Sequence, residues 1–208
     1  MKRIEELTKY IAPFNIIADV GCDHGYLIKI AIDKGLIKKA YAIDNKKGPL
    51  ENAKKNLREY ENVEFLLSDG LDDLKADVEV IIIAGMGGSL VKDILEKNIN
   101  KLDNVKRIII EANRNTEIVR EFASIHNLKI VSEKIIEEES IFYEIIVLEK
   151  GKMMLNSREI KFGPILLKNK DEMFIKKWTN KLEILMDKNT NKLDKEIKEI
   201  KDVLNYED

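Results

Sequence analysis

Between residues 16 and 149, short apolar runs alternate with charged amphipathic stretches, and this alternation restricts the fold more than any other feature. Residues 16–20, Ile-Ile-Ala-Asp-Val, form a compact apolar run that stops at Gly21. Residues 25–34 then set Leu27, Ile28, Ala31 and Ile32 on one helical face. The same order repeats, with strands expected at 40–44, 63–67, 78–84 and 105–112 and helices at 50–60, 89–97 and 117–124. Strands joined through helices need crossovers, so the expected core is a parallel sheet covered on both faces. The order changes at 128–136 and 141–149, two strand-like runs separated only by Glu137-Glu138-Glu139-Ser140. That link cannot hold a crossover helix, so the two runs should pair as an antiparallel hairpin.

From about residue 165 the chain turns lysine-rich and loses its strand runs. Phe174, Trp178, Leu182 and Leu185 form one helical stripe; after Asn189-Thr190-Asn191, Leu193, Ile197, Ile200 and Leu204 form a second. Two such helices pack most simply as an antiparallel, coiled-coil-like hairpin. Gly163-Pro164 marks the change, so we expect an α/β domain over 1–160 and a helical domain over 161–208. The total of 208 residues suits one ordinary domain with an appendage, and 44% apolar residues supply a packed core.

Composition removes several function classes. The single cysteine, Cys22, excludes an intramolecular disulfide framework, and with only His24 and His126 beside it a Cys/His zinc site is excluded. No run approaches the ~20 apolar residues that span a bilayer, and the start, Met1-Lys2-Arg3-Ile4-Glu5-Glu6, places acids where a signal peptide has its apolar core. A cytoplasmic protein, monomeric and without a membrane partner, is the expectation. The formal net charge of -2 announces no acidic partner, so nucleic-acid binding must rest on local patches.

In an open α/β sheet, ligands bind beyond the carboxyl ends of the strands. Those ends here are Asp19-Val20-Gly21-Cys22-Asp23-His24-Gly25, Asp44-Asn45, Asp69-Gly70 and Ala84-Gly85-Met86-Gly87-Gly88. A dinucleotide fingerprint would need Gly-x-Gly-x-x-Gly, with space for a pyrophosphate. Here Asp23 stands in that space, and a carboxylate there repels an anion while attracting a sulfonium or an ammonium. S-adenosylmethionine fits this pattern. Asp19 and Asp23 face its cationic groups, Asp44 its ribose hydroxyls, and Asp69 its adenine amino group, while Gly21, Gly25, Gly70, Gly85 and Gly87 let the backbone approach. His24, Asn45 and Met86 complete the expected cofactor-binding set. Cys22 reads as an inert buried thiol and His126 as a structural or surface residue.

The order of five βα units followed by an antiparallel hairpin looks like the Rossmann-like fold of class I S-adenosylmethionine-dependent methyltransferases. More narrowly, residues 19–27, Ser68-Asp69-Gly70-Leu71, Ile83-Ala84-Gly85-Met86-Gly87-Gly88, Phe142-Tyr143-Glu144-Ile145 and the stretch from Gly163-Pro164 to Trp178 resemble the bacterial tRNA (adenine-22-N1)-methyltransferase family, TrmK. The resemblance spans nearly the whole chain. It implies S-adenosylmethionine as donor, N1 of one tRNA adenine as acceptor, and a helical C-terminal domain. Members of that family usually carry Gln-Pro-Asn after the fifth strand. This chain has Glu111-Ala112-Asn113, and its Arg120 matches an arginine seven residues beyond that asparagine.

The clamp used on exocyclic amines, (Asp/Asn)-Pro-Pro-aromatic after strand four, is absent. N1 of adenine offers an in-plane lone pair and needs no strong base, so catalysis would be mainly orientation. Met86 to Gly88 is the expected wall of the acceptor pocket, with Asn113 and Tyr143 as substrate-positioning residues and no general base. Residues 34–58 carry eight bases against two acids and residues 161–181 six against two; both are candidate phosphate contacts. Other readings consistent with the strand-end pattern are a methyltransferase acting on another RNA base, a protein or a small molecule, or a non-catalytic RNA-binding module.

Overall fold

The computed structural model describes residues 2–187 and 193–205; the expected link at Asn189-Thr190-Asn191 lies outside them. The chain opens with helix α1 (Lys2–Thr8) and then alternates β1 (Ile16–Val20), α2 (Tyr26–Asp33), β2 (Lys39–Asp44), α3 (Lys47–Asn56) and β3 (Val63–Leu67). It continues through β4 (Val80–Ala84), α4 (Gly88–Lys97), a 3-10 turn (Ile99–Asn104), β5 (Arg107–Ala112) and α5 (Thr116–Ile125). The hairpin β6 (Leu128–Glu138) and β7 (Ile141–Lys150) precedes α6 (Ser157–Phe162), α7 (Pro164–Asn169), α8 (Glu172–Asp187) and α9 (Asp194–Leu204).

Seven strands form one sheet in the order β3-β2-β1-β4-β5-β7-β6. The first five pair in parallel, β7 runs antiparallel to both β5 and β6, and the order reverses between β1 and β4. The hairpin turns more tightly than its length suggested. Glu139 and Ser140, both at positive φ, form the whole bend, so β6 extends two residues beyond the expected end.

Period-2 alternation on the central strands feeds two cores. Ala18, Val20, Ile81, Ile83, Ile108 and Ile110 face α4 and α5. Ile17, Ala40, Ala42, Val80, Ile82, Ile109 and Ile145 face α1, α2 and α3. Helix α1 has no counterpart in the apolar periodicity; Leu7, fully buried, pins it to the second core. The stripe Phe174, Trp178, Leu182 and Leu185 packs on Ile200 and Val203 of α9, as expected for two paired helices. That third core also takes in Ile135 of β6 and Phe162 of α6, so the C-terminal helices rest on the hairpin. Trp178 is a packing residue, its ring edge-on to Phe162 at 4.6 Å.

Candidate active site

Two adjoining cavities, of about 210 and 380 Å³, open at the carboxyl ends of the parallel strands and share Gly21 and Asp23. Both lie at the β1/β4 reversal, where a doubly wound sheet opens a crevice.

The second cavity gathers Asp44 and Asn45 from the end of β2, Asp69 and Gly70 from the end of β3, and Met86 from the β4 turn. Asp44 Oδ1 accepts the N–H of Lys46 at 2.9 Å, which fixes the carboxylate at the head of α3. Asp69 is exposed and held by Lys97 at 3.1 Å, a lysine it shares with Asp72 at 2.8 Å. Gly21 has φ +77, and a side chain there would overlap the Met86 methyl. The two turns thus meet with no spare volume, and Met86 rests on the residue where the cavities join.

The first cavity is lined by Asp19, Gly21, Asp23, His24 and Tyr26 from the β1 turn, Ala84 and Gly85 from the β4 turn, Glu111 from β5, and Arg3 from α1. Asp19 is 5% exposed and makes no hydrogen bond or ion pair among the described residues. Burial, and secondarily the charge of Asp44, push its carboxyl up to about 7. Glu111 is fully buried. Its Oε2 receives Arg3 Nη1 at 2.5 Å and the N–H of Gly85 at 3.2 Å. Burial pushes this carboxyl up as well, with Arg3 opposing. Arg3 also lies 3.4 Å from Glu138 and sits 4.5 Å over the ring of Tyr143. His24 stacks on Tyr26 at 5.5 Å, with Asp23 3.7 Å from its Nε2. Gly25 lies at the head of α2, and Cys22 is buried, its thiol pushed up by that burial.

Of the expected residues, the structure collects Asp19, Gly21, Asp23, His24 and Gly85 at the first cavity and Asp44, Asn45, Asp69, Gly70 and Met86 at the second. Gly87 packs against Arg114, and a Cβ on Gly88 would overlap the Asn115 carbonyl, so the β4 turn abuts the segment after β5. Asn113 and Tyr143 fall in different places. Asn113 is exposed and lines a wider groove of about 960 Å³ shared with Lys177, Trp178 and Lys181. Tyr143 lies beneath Arg3 on the α1 side of the sheet. Arg3 and Glu111 had no sequence signal as a pair, being 108 residues apart; a buried acid inside an apolar strand was the single trace.

The candidate phosphate contacts also divide. Lys161 pairs with Glu199 at 2.7 Å, Lys176 with Glu137, Lys177 with Glu144, Lys39 with Glu64 and Lys54 with Glu51. Lys46, Lys47, Lys55, Lys168, Lys170 and Lys181 make no ion pair among the described residues. Lys46 borders the second cavity directly.

The family described as tRNA (adenine(22)-N(1))-methyltransferase matches residues 17–207. The Bacillus subtilis tRNA (adenine(22)-N(1))-methyltransferase is 32% identical over 192 residues, covering 88% of this chain and 81% of that one. A Streptococcus pneumoniae protein, a candidate tRNA (m1A22) methyltransferase crystallised with S-adenosyl-L-methionine, superposes with a TM-score of 0.93 at 37% identity, covering 98% of this chain and 99% of the other. M. capricolum TrmK, bound to S-adenosyl-homocysteine, gives a TM-score of 0.84 at 28% identity, covering 99% of this chain and 94% of the other. A match of this extent, on a fold with its crevice and acids in the places just described, shows that the chain belongs to the tRNA (adenine(22)-N(1))-methyltransferase family.

Proposed function

We propose that the two adjoining cavities hold S-adenosylmethionine, and that the acceptor adenine of tRNA enters across Gly85, Met86 and Gly87. The reaction is that of the family: a methyl group passes from S-adenosylmethionine to N1 of adenine 22 in tRNA. The observation that carries the assignment is the acid-lined crevice at the β1/β4 reversal, with Asp19 buried and without an ion pair among the described residues. A buried carboxylate without a partner is costly, and a cationic ligand removes that cost.

The donor set suits the group. Asp44 at the end of β2 is placed for ribose hydroxyls and Asp69 for an adenine amino group, which Lys97 would have to share. When bound, S-adenosylmethionine supplies a methyl group activated by positively charged sulfur. The chain's residues do the rest. Asp19 and Asp23 balance that charge, Met86 divides the crevice, and the open space beside Gly85 leaves room for a planar base. No general base is required, because N1 attacks through a lone pair already in the ring plane. Holding acceptor and donor in line is worth up to roughly 7–11 kcal/mol.

N1 lies on the Watson–Crick edge, so the target base must leave its stack to reach the crevice. Lys46, Lys47 and Lys55 on one side, and Lys168, Lys170 and Lys181 on the other, none in an ion pair among the described residues, are the phosphate contacts that fit this reading. The division into a catalytic domain over 1–160 and an RNA-gripping domain over 161–208 belongs to it too. No helix among the described residues is long and apolar enough to cross a membrane, in keeping with a cytoplasmic setting beside tRNA. The test is incubation with labelled S-adenosylmethionine and unmodified tRNA, followed by nucleoside analysis. Label in N1-methyladenosine at position 22 is expected; label in any other nucleoside overturns the acceptor assignment.

A further inference from the structure

Strands β4 and β5 run parallel, so the segments that leave them project from the same edge of the sheet as the two cavities. Two bonds fasten those segments together. The N–H of Gly88 donates to the Arg114 carbonyl at 2.9 Å, and Asn115 Nδ2 donates to Ser89 Oγ at 3.0 Å. The backbones approach so closely that a Cβ on Gly88 would overlap the Asn115 carbonyl. Arg114 is therefore held beside the β4 turn by its backbone, which leaves its side chain available for something else.

That side chain is exposed and lies against Gly87, its Nε 2.9 Å from where a Cβ on Gly87 would stand. Gly87 has φ -75 and ψ 149, an extended conformation open to any residue, so its backbone does not call for glycine. What the missing side chain leaves is room for Arg114. Gly87 directly follows Met86, which lines the second cavity, while Arg114 itself lines the groove of about 960 Å³. Other cations of that groove are already engaged: Lys177 by Glu144, and Lys161 and Lys195 by Glu199. Arg114 makes no ion pair among the described residues, not even with Glu117 three residues on. An uncompensated guanidinium thus stands where the groove meets the β4 turn.

We propose that Arg114 positions the acceptor: its guanidinium takes the backbone phosphate of the target adenine nucleotide as that nucleotide turns out of its stack toward the β4 turn. This rests on the reading of Gly85, Met86 and Gly87 as the entry for the acceptor base. A nucleotide swung out of a stack carries its phosphate with it, and the unstacking must be offset by contacts made only in the turned state. Arginine suits that task. Its planar fork meets two phosphate oxygens at once and fixes their orientation, where lysine offers a point charge. Such a contact carries no sequence information; it sets register and orientation. Lys181, elsewhere on the groove, serves docking of the tRNA as a whole, and Arg114 the placement of one nucleotide.

The test reads placement of the base separately from docking of the tRNA. Single-turnover methylation of unmodified tRNA, at saturating tRNA and S-adenosylmethionine, reads the first. A tRNA carrying 2-aminopurine at position 22, whose fluorescence rises when the base leaves its stack, reads extrusion directly. In Arg114→Gln the single-turnover rate is expected to fall about tenfold or more, as loss of a charge-assisted contact does. The fluorescence rise should drop to below about half of the native value, with S-adenosylhomocysteine affinity changed less than about twofold. Arg114→Lys keeps the charge without the fork and should recover part of the rate. An unchanged rate and fluorescence rise would overturn the proposal, as would a loss confined to tRNA affinity, which would make Arg114 one docking contact among several. Weakened S-adenosylhomocysteine binding would overturn it too, by showing that the side chain only props the β4 turn. If the native chain left no label on N1 of adenine 22, the acceptor assignment itself would fall, a result that no Arg114 variant can imitate.

Discussion

The sheet carries two clusters of buried charge on opposite faces, and they differ in one respect. On the α5 side, Arg120 is fully buried and every one of its directions is used. It donates to Glu133 at 2.7 Å, to Glu144, and to the carbonyls of Ile160 and Lys161 at 3.2 and 3.3 Å. Glu144 also takes Lys177 from α8, and Glu133 takes the N–H of Ile165 at the head of α7 at 2.8 Å. Two cations and two anions close on themselves. On the α1 side, Arg3 pairs with Glu111 and Glu138, while Asp19 makes no ion pair and Glu111 Oε1 no hydrogen bond among the described residues. A closed cluster is finished when the chain folds. An open one can be completed by something that arrives later, and this separates the part of the molecule proposed to bind the cofactor from the part that fastens the C-terminal helices.

The largest effect should come from opening the closed cluster. Arg120→Met leaves Glu133 and Glu144 buried together without their shared cation. Breaking a buried pair of this kind costs about 3–5 kcal/mol, and in a chain of this size roughly 2–4 °C of melting temperature goes with each kcal/mol. A fall of roughly 10 °C is expected in thermal unfolding. Arg3→Gln, in the open and part-exposed cluster, should cost less than half as much. Similar losses would mean that the two clusters do the same work and would end the distinction.

The acid limb of stability tests the same contrast through protons. Burial alone would raise the Glu144 carboxyl, but Arg120 and Lys177 outweigh it and hold the group down at about 2. A carboxyl held below its unfolded value contributes stability that is whole above the ordinary carboxylate range near pH 4.3 and is lost as pH falls toward 2. The shift corresponds to roughly 3 kcal/mol. Denaturant unfolding between pH 5 and 2 should therefore fall more steeply for the native chain than for Glu144→Gln, which starts less stable and stays flatter. Parallel curves would remove Glu144 as the source.

How far the sequence reveals these clusters depends on how local each one is. The Asp19 to Gly25 turn is legible because strand, turn and helix start follow one another along the chain, and the required residue types sit where the apolar run ends. The parallel sheet and the reversed β7 are legible for the same reason, since the period changes and the two-residue bend leaves no room for a crossover. Arg120 was legible only as a match to a family arginine; on a helix with Glu117 and Glu121 nearby, nothing in its spacing says that it is fully buried. Lys161, Lys176 and Lys177 read as a basic patch, but their partners Glu199, Glu137 and Glu144 come from other elements. Arg3 and Glu111 meet across 108 residues, and α1 has no apolar period long enough to announce itself. What was hidden is the pairing of charges across the fold, which local patterns do not encode.

An effect of opposite sign and comparable size is expected at Asp19. With its carboxyl pushed up to about 7 by burial and by Asp44, the folded chain without ligand favours the protonated form. Its stability should fall as pH rises from about 4 to 7, the reverse of the Glu144 limb. Asp19→Asn should abolish that fall and raise ligand-free stability at pH 8 by roughly 4 kcal/mol. A cationic ligand needs the ionised form, so S-adenosylmethionine affinity should drop about tenfold per unit below pH 7 in the native chain. In Asp19→Asn it should be about tenfold or more weaker and flat between pH 5.5 and 7.5. Binding that kept its pH dependence in the variant would move the titrating group elsewhere, with Glu111 the next to examine.

The smallest effects separate the two positions expected to orient the substrate. Asn113 is exposed at the edge of the groove shared with Lys177 and Lys181, beside a β4 turn locked to it by the Gly88 N–H to Arg114 carbonyl bond at 2.9 Å. Tyr143 has its ring under Arg3, where the face rather than the hydroxyl makes the contact. Tyr143→Phe keeps that face and its attraction for the guanidinium, worth about 0.5–1 kcal/mol at part-exposed sites, so cofactor binding and kcat should change less than threefold. Asn113→Ala removes a polar group from the edge of that groove. It should raise the KM for tRNA several-fold while leaving S-adenosylhomocysteine affinity untouched. Steady-state kinetics with saturating cofactor and varied tRNA reads both. Full activity in both variants would remove the two residues from substrate positioning and leave that task to the β1 and β4 turns, where the open cluster already concentrates the unpaired charge.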